Sequence, residues 1–542
     1  MTGTLRLSGP GSVDRLDPVA AQPHAQQLVR LLSRQLLTYE PRRDLREWQA
    51  VAPVPDVAVA VPSTYNAGLG ASHRSHVIHL RPGVLWDTSP SRPVTAHDFV
   101  RGFKRLANPV ARPPALAFFR STIRGFAEFC EGFADAVPAA TATADRLAAY
   151  QDENEIPGVF ALDDESLVIE VVRPSPDFVH VLALGCASAS PVEHDAFLPG
   201  SAELTRNLRS NGPYRVSRYV PGRELRLERN PVWDPSTDPV RHGHLEAIEV
   251  VVTAGAEDGR ATSPWGFALR HGAGAAAADL SWDLDPYLAI NVAAGNLALR
   301  DVRVRRALAA AIDKAAVARV HHDRAAVRVA SSIVPPNNDG HQPDLRDPPG
   351  DPKAARGLEL TVVYERADAA VARACAAGLV RAGVTVRAVE LARPDFDRLV
   401  ADPTAASWDV VVHRRSAAWH YRNARVFLEA MFATGSPANL GGFSDPETDD
   451  LIRRALDAAT DAPAVAAAAW HAVERRVLEE AAVVPVLFRA PALPPRTGAG
   501  VPDALPMPAL GFACDLASVR LEDASSNGAA AGRSIPVGAG AP

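Results

Sequence analysis

LELTVVY at residues 358–364, VTVRAVEL at 384–391 and WDVVVH at 408–413 are three runs rich in β-branched residues. Such runs favour β-strands that pack on at least one face. Helical patterns separate them, one over 368–381 and a shorter one over 396–400. Strands joined by helices imply right-handed crossovers and a parallel sheet, so this stretch predicts an α/β fold.

The loop at 414–423 follows the third predicted strand. Open parallel sheets bind ligands beyond the carboxyl ends of their strands, so the loop is a candidate cleft. Guanidinium groups suit carboxylates and phosphates, and flat aromatic rings suit organic ligands. The composition fits a ligand-binding loop and equally a solvated loop whose aromatic residues pack on the core. The residues in question are Arg414, Arg415, Trp419, His420 and Tyr421.

The composition is that of a globular protein. The chain has 542 residues, 47% hydrophobic and 22% charged, with a formal net charge of −6. At roughly 150 residues per domain, this length predicts three to four folding units. No run reaches the roughly 18 consecutive apolar residues of a membrane-spanning helix. Nucleic-acid-binding domains usually carry a basic face, and the interleaved charges here argue against such a partner.

Sequence signatures of enzymes and metal sites are missing. There is no G-x-S-x-G turn, no H-E-x-x-H helix and no phosphate-binding loop ending in Gly-Lys-Ser/Thr. The four cysteines form no C-x-x-C pair, which predicts buried free thiols rather than a zinc site. His76 and His79 fall on opposite faces of a predicted strand, so they do not favour a metal either. The sequence therefore predicts no cofactor, no metal and no catalytic residue.

Four blocks in a fixed order carry a resemblance to a known family. In the first, Thr95 and Asp98 form a capping-box pattern that predicts the start of a helix; the second surrounds a predicted hairpin over 214–228. The blocks are LRPGVLW (80–86) with PVTAHDF (93–99), NGPY (211–214) with LERNP (227–231), YLAIN (287–291), and DVRVRRAL (301–308) with AIDK (311–314). Over residues 3–522 the chain resembles the family 5 extracellular solute-binding proteins, the oligopeptide-, dipeptide- and nickel-binding group of ABC importers.

The resemblance implies a two-lobed α/β fold of the periplasmic-binding-protein type II, with hinged lobes around a ligand cleft and an extra subdomain. Lobe I is expected to be discontinuous, formed by 3–47, 166–285 and 482–522. The extra subdomain is expected at 48–165, and lobe II, with the parallel α/β core, at 286–481. The final segment, 523–542, is rich in Ala, Gly and Ser and is expected to be a disordered tail.

The resemblance also implies a ligand site in the loop. In oligopeptide-binding members this loop carries a Trp, then an Asp-Tyr pair that holds the amino terminus of the peptide. Here the Trp position falls on Ala417, the Asp position on His420, and Tyr421 is retained. Losing a charged hydrogen bond costs about 1.5–3 kcal/mol, so an anionic or carboxylate-bearing ligand is favoured over a plain peptide amine. The expected ligand-binding residues are Arg414 (where some members place an arginine for ligand carboxylates), Arg415, Ala417, Trp419, His420 and Tyr421.

The implied function is that of the substrate-binding component of an ABC importer, a binder rather than an enzyme. It would capture peptides or peptide-like, carboxylate-bearing small molecules by lobe closure. The expected partners are the ligand and the permease and ATPase subunits, with no nucleic acid, and the expected state is an extracytoplasmic monomer. Residues 1–7 lack the pattern of a secretory signal. The alternative is therefore an intracellular binder or enzyme of specialised metabolism, with His420 and Tyr421 as candidate catalytic residues.

Overall fold

A computed structural model describes most of the chain. Three of the predicted site residues (Trp419, His420 and Tyr421) and the predicted tail at 523–542 lie outside the described residues. Those residues are 3–9, 13–21, 25–42, 50–111, 113, 115–252, 282–321, 327–336, 338, 340–400, 402, 404, 407–417, 424–436, 438–458, 463–490, 505–510, 512 and 514–521.

The strands within these residues are β1 (Thr4–Gly9), β2 (Leu37–Thr38), β3 (Val54–Pro55), β4 (Ser75–His79), β5 (Leu85–Trp86), β6 (Arg92–Pro93), β7 (Val159–Asp163), β8 (Ser166–Glu170), β9 (Tyr214–Val220), β10 (Glu224–Arg229), β11 (Ala247–Val252), β12 (Asp283–Ile290), β13 (Val327–Val329), β14 (Glu359–Glu365), β15 (Thr385–Leu391), β16 (Val410–Arg415), β17 (Val483–Pro485) and β18 (Leu487–Arg489).

The α-helices are α1 (Gln26–Leu32), α2 (Ala96–Leu106), α3 (Leu116–Thr122), α4 (Phe126–Ala136), α5 (Ala144–Glu153), α6 (Phe178–Val181), α7 (Ala202–Asn207), α8 (Val302–Ala311), α9 (Lys314–Ala318), α10 (Ala369–Arg381), α11 (Arg393–Val400), α12 (Arg425–Phe432), α13 (Pro446–Ala458) and α14 (Pro463–Glu479).

Lobe I is built on a four-stranded sheet in the order β1-β11-β10-β9. Strand β1 runs parallel to β11, and β9 and β10 form the antiparallel hairpin that the alternating sequence predicted. The apolar side chains of this sheet share one core with α1 and with Cys514, Leu516 and Val519 near the end of the chain. The return of the chain to this core supports the expected discontinuous lobe.

The subdomain contains the three-stranded sheet β4-β8-β7 and the helices α2 to α5. Helix α2 begins with the predicted capping box, in which the backbone N–H of Thr95 donates to Asp98 Oδ2 at 2.9 Å. The indole of the fully buried Trp86 donates to the same oxygen at 3.1 Å. In the first block, the Asp98 carboxylate therefore stabilises both the start of α2 and its contact with strand β5.

Lobe II contains a seven-stranded sheet in the order β13-β18-β12-β16-β14-β15, with β17 also paired to β12. Strand β14 is parallel to β15 and to β16, which confirms the strands and crossovers predicted for 358–413. The sheet is mixed rather than wholly parallel, because β12 is antiparallel to β16, β17 and β18. Helices α8 to α10 pack on one face and α11 to α14 on the other.

Strand pairing differs from the expected domain boundaries at two places. Strand β8 pairs with β4 and β7, so a boundary at 165/166 falls inside one hairpin. Strands β17 and β18 pair with β12, so 483–489 join the lobe II sheet rather than the expected lobe I segment 482–522. Ladder hydrogen bonds keep paired strands in one sheet, and local sequence patterns do not reveal which strands pair.

The four cysteines are buried and free, as predicted. Burial raises the pKa of the Cys130 thiol to about 12, which keeps it protonated and unreactive. In the part of the chain that the structure describes, no helix is long and apolar enough to cross a bilayer.

Candidate functional site

The candidate site lies at one edge of the lobe II sheet. Strands β14 and β16 are parallel and end at this edge with Glu365 and Arg415. Strand β12 is antiparallel to β16 and begins there with Asp283, and β18, antiparallel to β12, ends there with Arg489. Charged side chains of four strands therefore meet where the sheet topology favours a ligand.

The predicted site residues fall partly within this edge. Arg414 and Arg415 are the last residues of β16, whereas the sequence placed them in a loop after residue 413. The strand is longer because Arg415 still pairs with Leu284 of β12. Ala417 follows, partly buried against the core. The roles of the predicted residues at 419–421 stay predictions.

Arg414 already has an acidic partner in the ligand-free protein. Its Nη2 donates to Glu365 Oε2 at 3.1 Å, and Arg393 Nη1 donates to the same oxygen at 3.0 Å. A ligand carboxylate would have to compete with Glu365 for this guanidinium. We therefore expect a smaller contribution from Arg414 than the family resemblance alone suggests.

Arg415 lacks such a partner among the residues that the structure describes. Its Nη2 donates to the carbonyl oxygen of Val426 at 3.0 Å, and its Nε is buried without a hydrogen-bond partner. Burial lowers the pKa of Arg415, and no carboxylate is among the groups that oppose this effect. Buried polar groups are normally hydrogen-bonded, and buried charges are normally paired. A ligand carboxylate would accept a hydrogen bond from Arg415 Nε and would neutralise the charge of the guanidinium group.

Carboxyl groups that sequence reasoning missed share this edge. Asp285 forms an ion pair with Arg489, whereas Asp283 and Asp368 form no ion pair with another described residue. Asp283 and Asp285 lie just before the block at 287–291, and Asp368 follows the strand predicted at 358–364. Their position at strand ends was the signal that could have revealed them.

Both carboxyl groups without an ion pair have perturbed acidity. Burial raises the pKa of Asp283 to about 7; repulsion from Asp285 adds to this, whereas Ser416, Arg489 and Arg414 oppose it. Burial also raises the pKa of Asp368 to about 6, against the attraction of Arg414. The site therefore exchanges protons close to neutral pH.

We expect Asp283→Asn to remove a pH-dependent loss of stability. The folded protein keeps the Asp283 proton up to about pH 7, whereas the unfolded chain releases it near pH 3.9, roughly the reference value. The folded state thus binds more protons in this window, so its stability falls as the pH rises through it. At roughly 1.4 kcal/mol per pKa unit, the loss amounts to a few kcal/mol.

The check is the difference in melting temperature between Asp283→Asn and the wild type, measured at several values from about pH 5 to about pH 8. The difference should grow with pH in favour of the variant. A difference in melting temperature that does not change with pH would contradict a raised pKa of Asp283.

Chemistry by a buried base has little support here. Burial lowers the pKa of His413 to about 3, and its ring stacks on Tyr287 with 5.9 Å between ring centroids. This histidine is neutral near pH 7 and serves packing. Within the described ranges, no group of three or more His, Cys, Asp or Glu residues is placed to hold a metal ion.

A buried arginine at the start of α12 connects lobe II with the subdomain. Arg425 Nη1 donates to Ser175 Oγ at 2.8 Å, and Nη2 donates to Thr122 Oγ1 at 2.8 Å. Asp177 Oδ1 lies 3.3 Å from Nη1, and the guanidinium carbon lies 4.1 Å from the centroid of the Phe118 ring. The side chain of Arg425 is only 5% exposed, so the contact excludes water.

Comparison with known proteins assigns the family. Residues 71–360, more than half of the chain, match the family described as bacterial extracellular solute-binding proteins, family 5. The chain belongs to this family. The curated relatives of this family 5 protein are named as binding proteins, and the matched segments span between a quarter and about half of their length.

Two curated relatives illustrate the match. The family 5 protein is 31% identical over 159 residues to the periplasmic oligopeptide-binding protein OppA of Salmonella typhimurium, covering 29% of this chain and 25% of OppA. It is 26% identical over 308 residues to the dipeptide-binding protein of Escherichia coli, covering 53% and 51% of the two chains.

A solved structure extends the likeness to nearly the whole chain. The family 5 protein superposes on clavulanic acid biosynthesis oligopeptide binding protein 2 with a TM-score of 0.73 and 24% identity, covering 96% of both chains. This likeness confirms the two-lobed α/β fold that the four sequence blocks implied.

Proposed function

We propose that this family 5 protein is the substrate-binding component of an ABC importer. It captures peptides or peptide-like, carboxylate-bearing small molecules between its lobes and leaves them chemically unchanged. It acts as an extracytoplasmic monomer and delivers its ligand to permease and ATPase subunits. The observation that carries the proposal is Arg415 at this edge of the lobe II sheet, a partly buried arginine whose Nε is buried and which has no acidic partner among the described residues.

The chemistry of Arg415 supports a carboxylate. Its Nε is an unused donor, and a carboxylate accepts charge-assisted hydrogen bonds that are roughly twice as strong as neutral ones. Taking a charge out of water is unfavourable unless it is paired, so a ligand that supplies the opposite charge is stabilised at this point. By the same argument, Arg414 should contribute less than Arg415 to binding the ligand carboxylate, because Glu365 already neutralises the charge of Arg414.

The other predicted residues complete the proposed site. Ala417 leaves room where the oligopeptide-binding members carry an indole ring. Trp419 and Tyr421 offer flat surfaces to the ligand, and His420 offers a hydrogen bond. Closure of the two lobes would bury the ligand, and the closed form would be the one that the transporter recognises.

Peptides with a free carboxyl terminus should stabilise the protein more than their amides. The probe is an equimolar pool of tripeptides, compared with the same pool amidated at the carboxyl terminus. A ligand that binds only the native state raises the melting temperature by mass action. Arg415→Gln should weaken binding of the free-acid pool about tenfold to a hundredfold, the equivalent of about 1.5–3 kcal/mol for a charged hydrogen bond.

The matched control is Arg398→Gln, because Arg398 is an exposed arginine of the same lobe, with 78% of its side chain accessible. This variant should bind both pools as the wild type does. Equal stabilisation of the wild type by the acid and amide pools would contradict a carboxylate site at Arg415.

One comparison favours a second candidate function. A structural neighbour carries a name that places it in clavulanic acid biosynthesis. By analogy, this protein would be an intracellular binder or enzyme of specialised metabolism, with His420 and Tyr421 as acid–base candidates. Native mass spectrometry of protein purified from its own cells separates a binder from an enzyme. A bound molecule whose mass does not change supports a binding role, whereas conversion of that molecule that is lost in His420→Ala supports an enzyme.

A further inference from the structure

The charges around Asp283 at this edge of the lobe II sheet do not balance. Arg415 is not part of this group, because it pairs with Leu284 and therefore lies on the other side of the sheet from Asp283. Around Asp283, four carboxyl groups face three guanidinium groups, and each of these three already contacts a carboxylate. When all of these groups are ionised, the cluster lacks one positive charge. The carboxyl groups are those of Asp283, Asp285, Glu365 and Asp368, and the guanidinium groups are those of Arg393, Arg414 and Arg489.

The excess negative charge belongs to Asp283 and Asp368. Asp285 is paired with Arg489, and Glu365 is shared by two arginines. Asp283 Oδ1 is shielded from solvent and accepts no hydrogen bond from a described residue, although the Ser416 hydroxyl bonds to the same carboxyl group. Asp368 is partly exposed just before α10. Neither carboxyl group forms an ion pair with a described residue.

The loop beside these acids cannot supply a carboxylate for a ligand amine. Its sequence, SAAWHYRN at 416–423, contains no Asp or Glu. A ligand ammonium at this edge would therefore find its negative partner on the strands and not on the loop. One ammonium also supplies the single positive charge that the cluster lacks.

We propose that Asp283 and Asp368 bind the protonated amine of the ligand, opposite the carboxylate bound by Arg415. This rests on the proposed function and narrows its ligand to molecules with both charges. Arg415 pairs with Leu284 across adjacent strands. Successive side chains of a strand point to opposite faces, so Asp283 and Arg415 flank the sheet edge on two sides.

The test compares the free-acid tripeptide pool with the same pool acetylated at the amino terminus. Acetylation should weaken binding to the wild type about tenfold or more, since a hydrogen bond to a charged group is worth about 1.5–3 kcal/mol. Asp283→Asn and Asp368→Asn should lose this preference for the free amine, so that each variant binds the two pools about equally. The matched control, Asp395→Asn, removes an acid of lobe II that is 57% exposed and should keep the preference.

Each other outcome overturns the proposal in a distinguishable way. Equal binding of both pools by the wild type would show that the amine is not recognised, and the proposed function would stand. A preference that survives in both Asn variants would place the amine elsewhere. A preference for the free amine that is absent in the wild type and appears in Arg422→Gln would mean that this arginine of the loop supplies the missing charge. If neither pool stabilises the wild type, both the ammonium site and the proposed function fail.

Discussion

Replacing Asp56 with alanine should lower the free energy of unfolding by about 3–5 kcal/mol, the usual cost of removing one partner from a buried ion pair. Asp56 Oδ1 accepts a hydrogen bond from Arg34 Nε at 2.8 Å, and Oδ2 lies 2.8 Å from Arg241 Nη1. The three side chains have 0% exposure. Without Asp56, Asp238 is the carboxylate that still forms ion pairs with both buried guanidinium groups.

The effect should be large because this cluster connects distant segments of the chain. Arg34 follows α1, Asp56 follows β3, and Asp238 and Arg241 lie between β10 and β11. Arg34 Nη2 also donates to the carbonyl oxygen of Thr237 at 2.6 Å. Burial alone would raise the pKa of Asp238, but attraction to Arg241 and Arg34 lowers it to about 2. The carboxylate therefore stays ionised near neutral pH, and no change of protonation can relieve the imbalance.

Denaturant unfolding of the ligand-free protein measures the loss. The control is Asp395→Ala, which removes a surface partner of Arg398 with both side chains more than half exposed, and should cost less than about 1 kcal/mol. The double variant Asp56→Ala with Arg241→Met restores the charge balance. Its loss of unfolding free energy should therefore be smaller than the sum of the losses in the two single variants. If the Asp56→Ala variant were as stable as the control, Asp56 would not stabilise the protein as the partner of two buried arginines.

Local patterns were sufficient to predict much of the fold. The β-branched runs at 358–364, 384–391 and 408–413 are strands of one sheet, because a run of that length with helices between has few other arrangements. The Thr95–Asp98 pattern starts α2 because both capping bonds are made within four residues of the chain. Interactions between neighbours in sequence leave a signature that is readable without the structure.

Long-range pairing is what the sequence alone could not show. Arg414 looked like a free cation for a ligand, yet its partner Glu365 lies 49 residues earlier in the chain. Asp283 and Asp368 were not among the predicted site residues, because their altered acidity depends on charged groups from distant parts of lobe II. The expected boundary at 165/166 separates β8 from β4, with which it pairs although β4 lies far from it in the chain.

Arg425→Met should separate lobe II from the subdomain. Methionine is apolar and of comparable reach, but it has none of the donors that bind Ser175, Thr122 and Asp177, residues some 250 to 300 positions away. Removing one partner of a buried ion pair costs about 3–5 kcal/mol. Opening the contact between lobe II and the subdomain hydrates Asp177 and unfolds neither of them. We therefore expect the lost interaction energy to shift the equilibrium from the closed form toward an open form.

Two measurements follow from that shift. Small-angle scattering of the ligand-free variant should give a larger radius of gyration than the wild type. The apparent affinity for the free-acid tripeptide pool should fall more than about tenfold, because the dissociation constant scales inversely with the closed fraction. Arg425→Lys keeps the positive charge but lacks the planar guanidinium group. Its radius of gyration and its affinity should therefore lie between those of the wild type and of Arg425→Met. The exposed Arg398→Met is the control for loss of an arginine. If Arg425→Met scatters and binds like this control, Arg425 does not hold the lobes together, and closure must depend on the ligand alone.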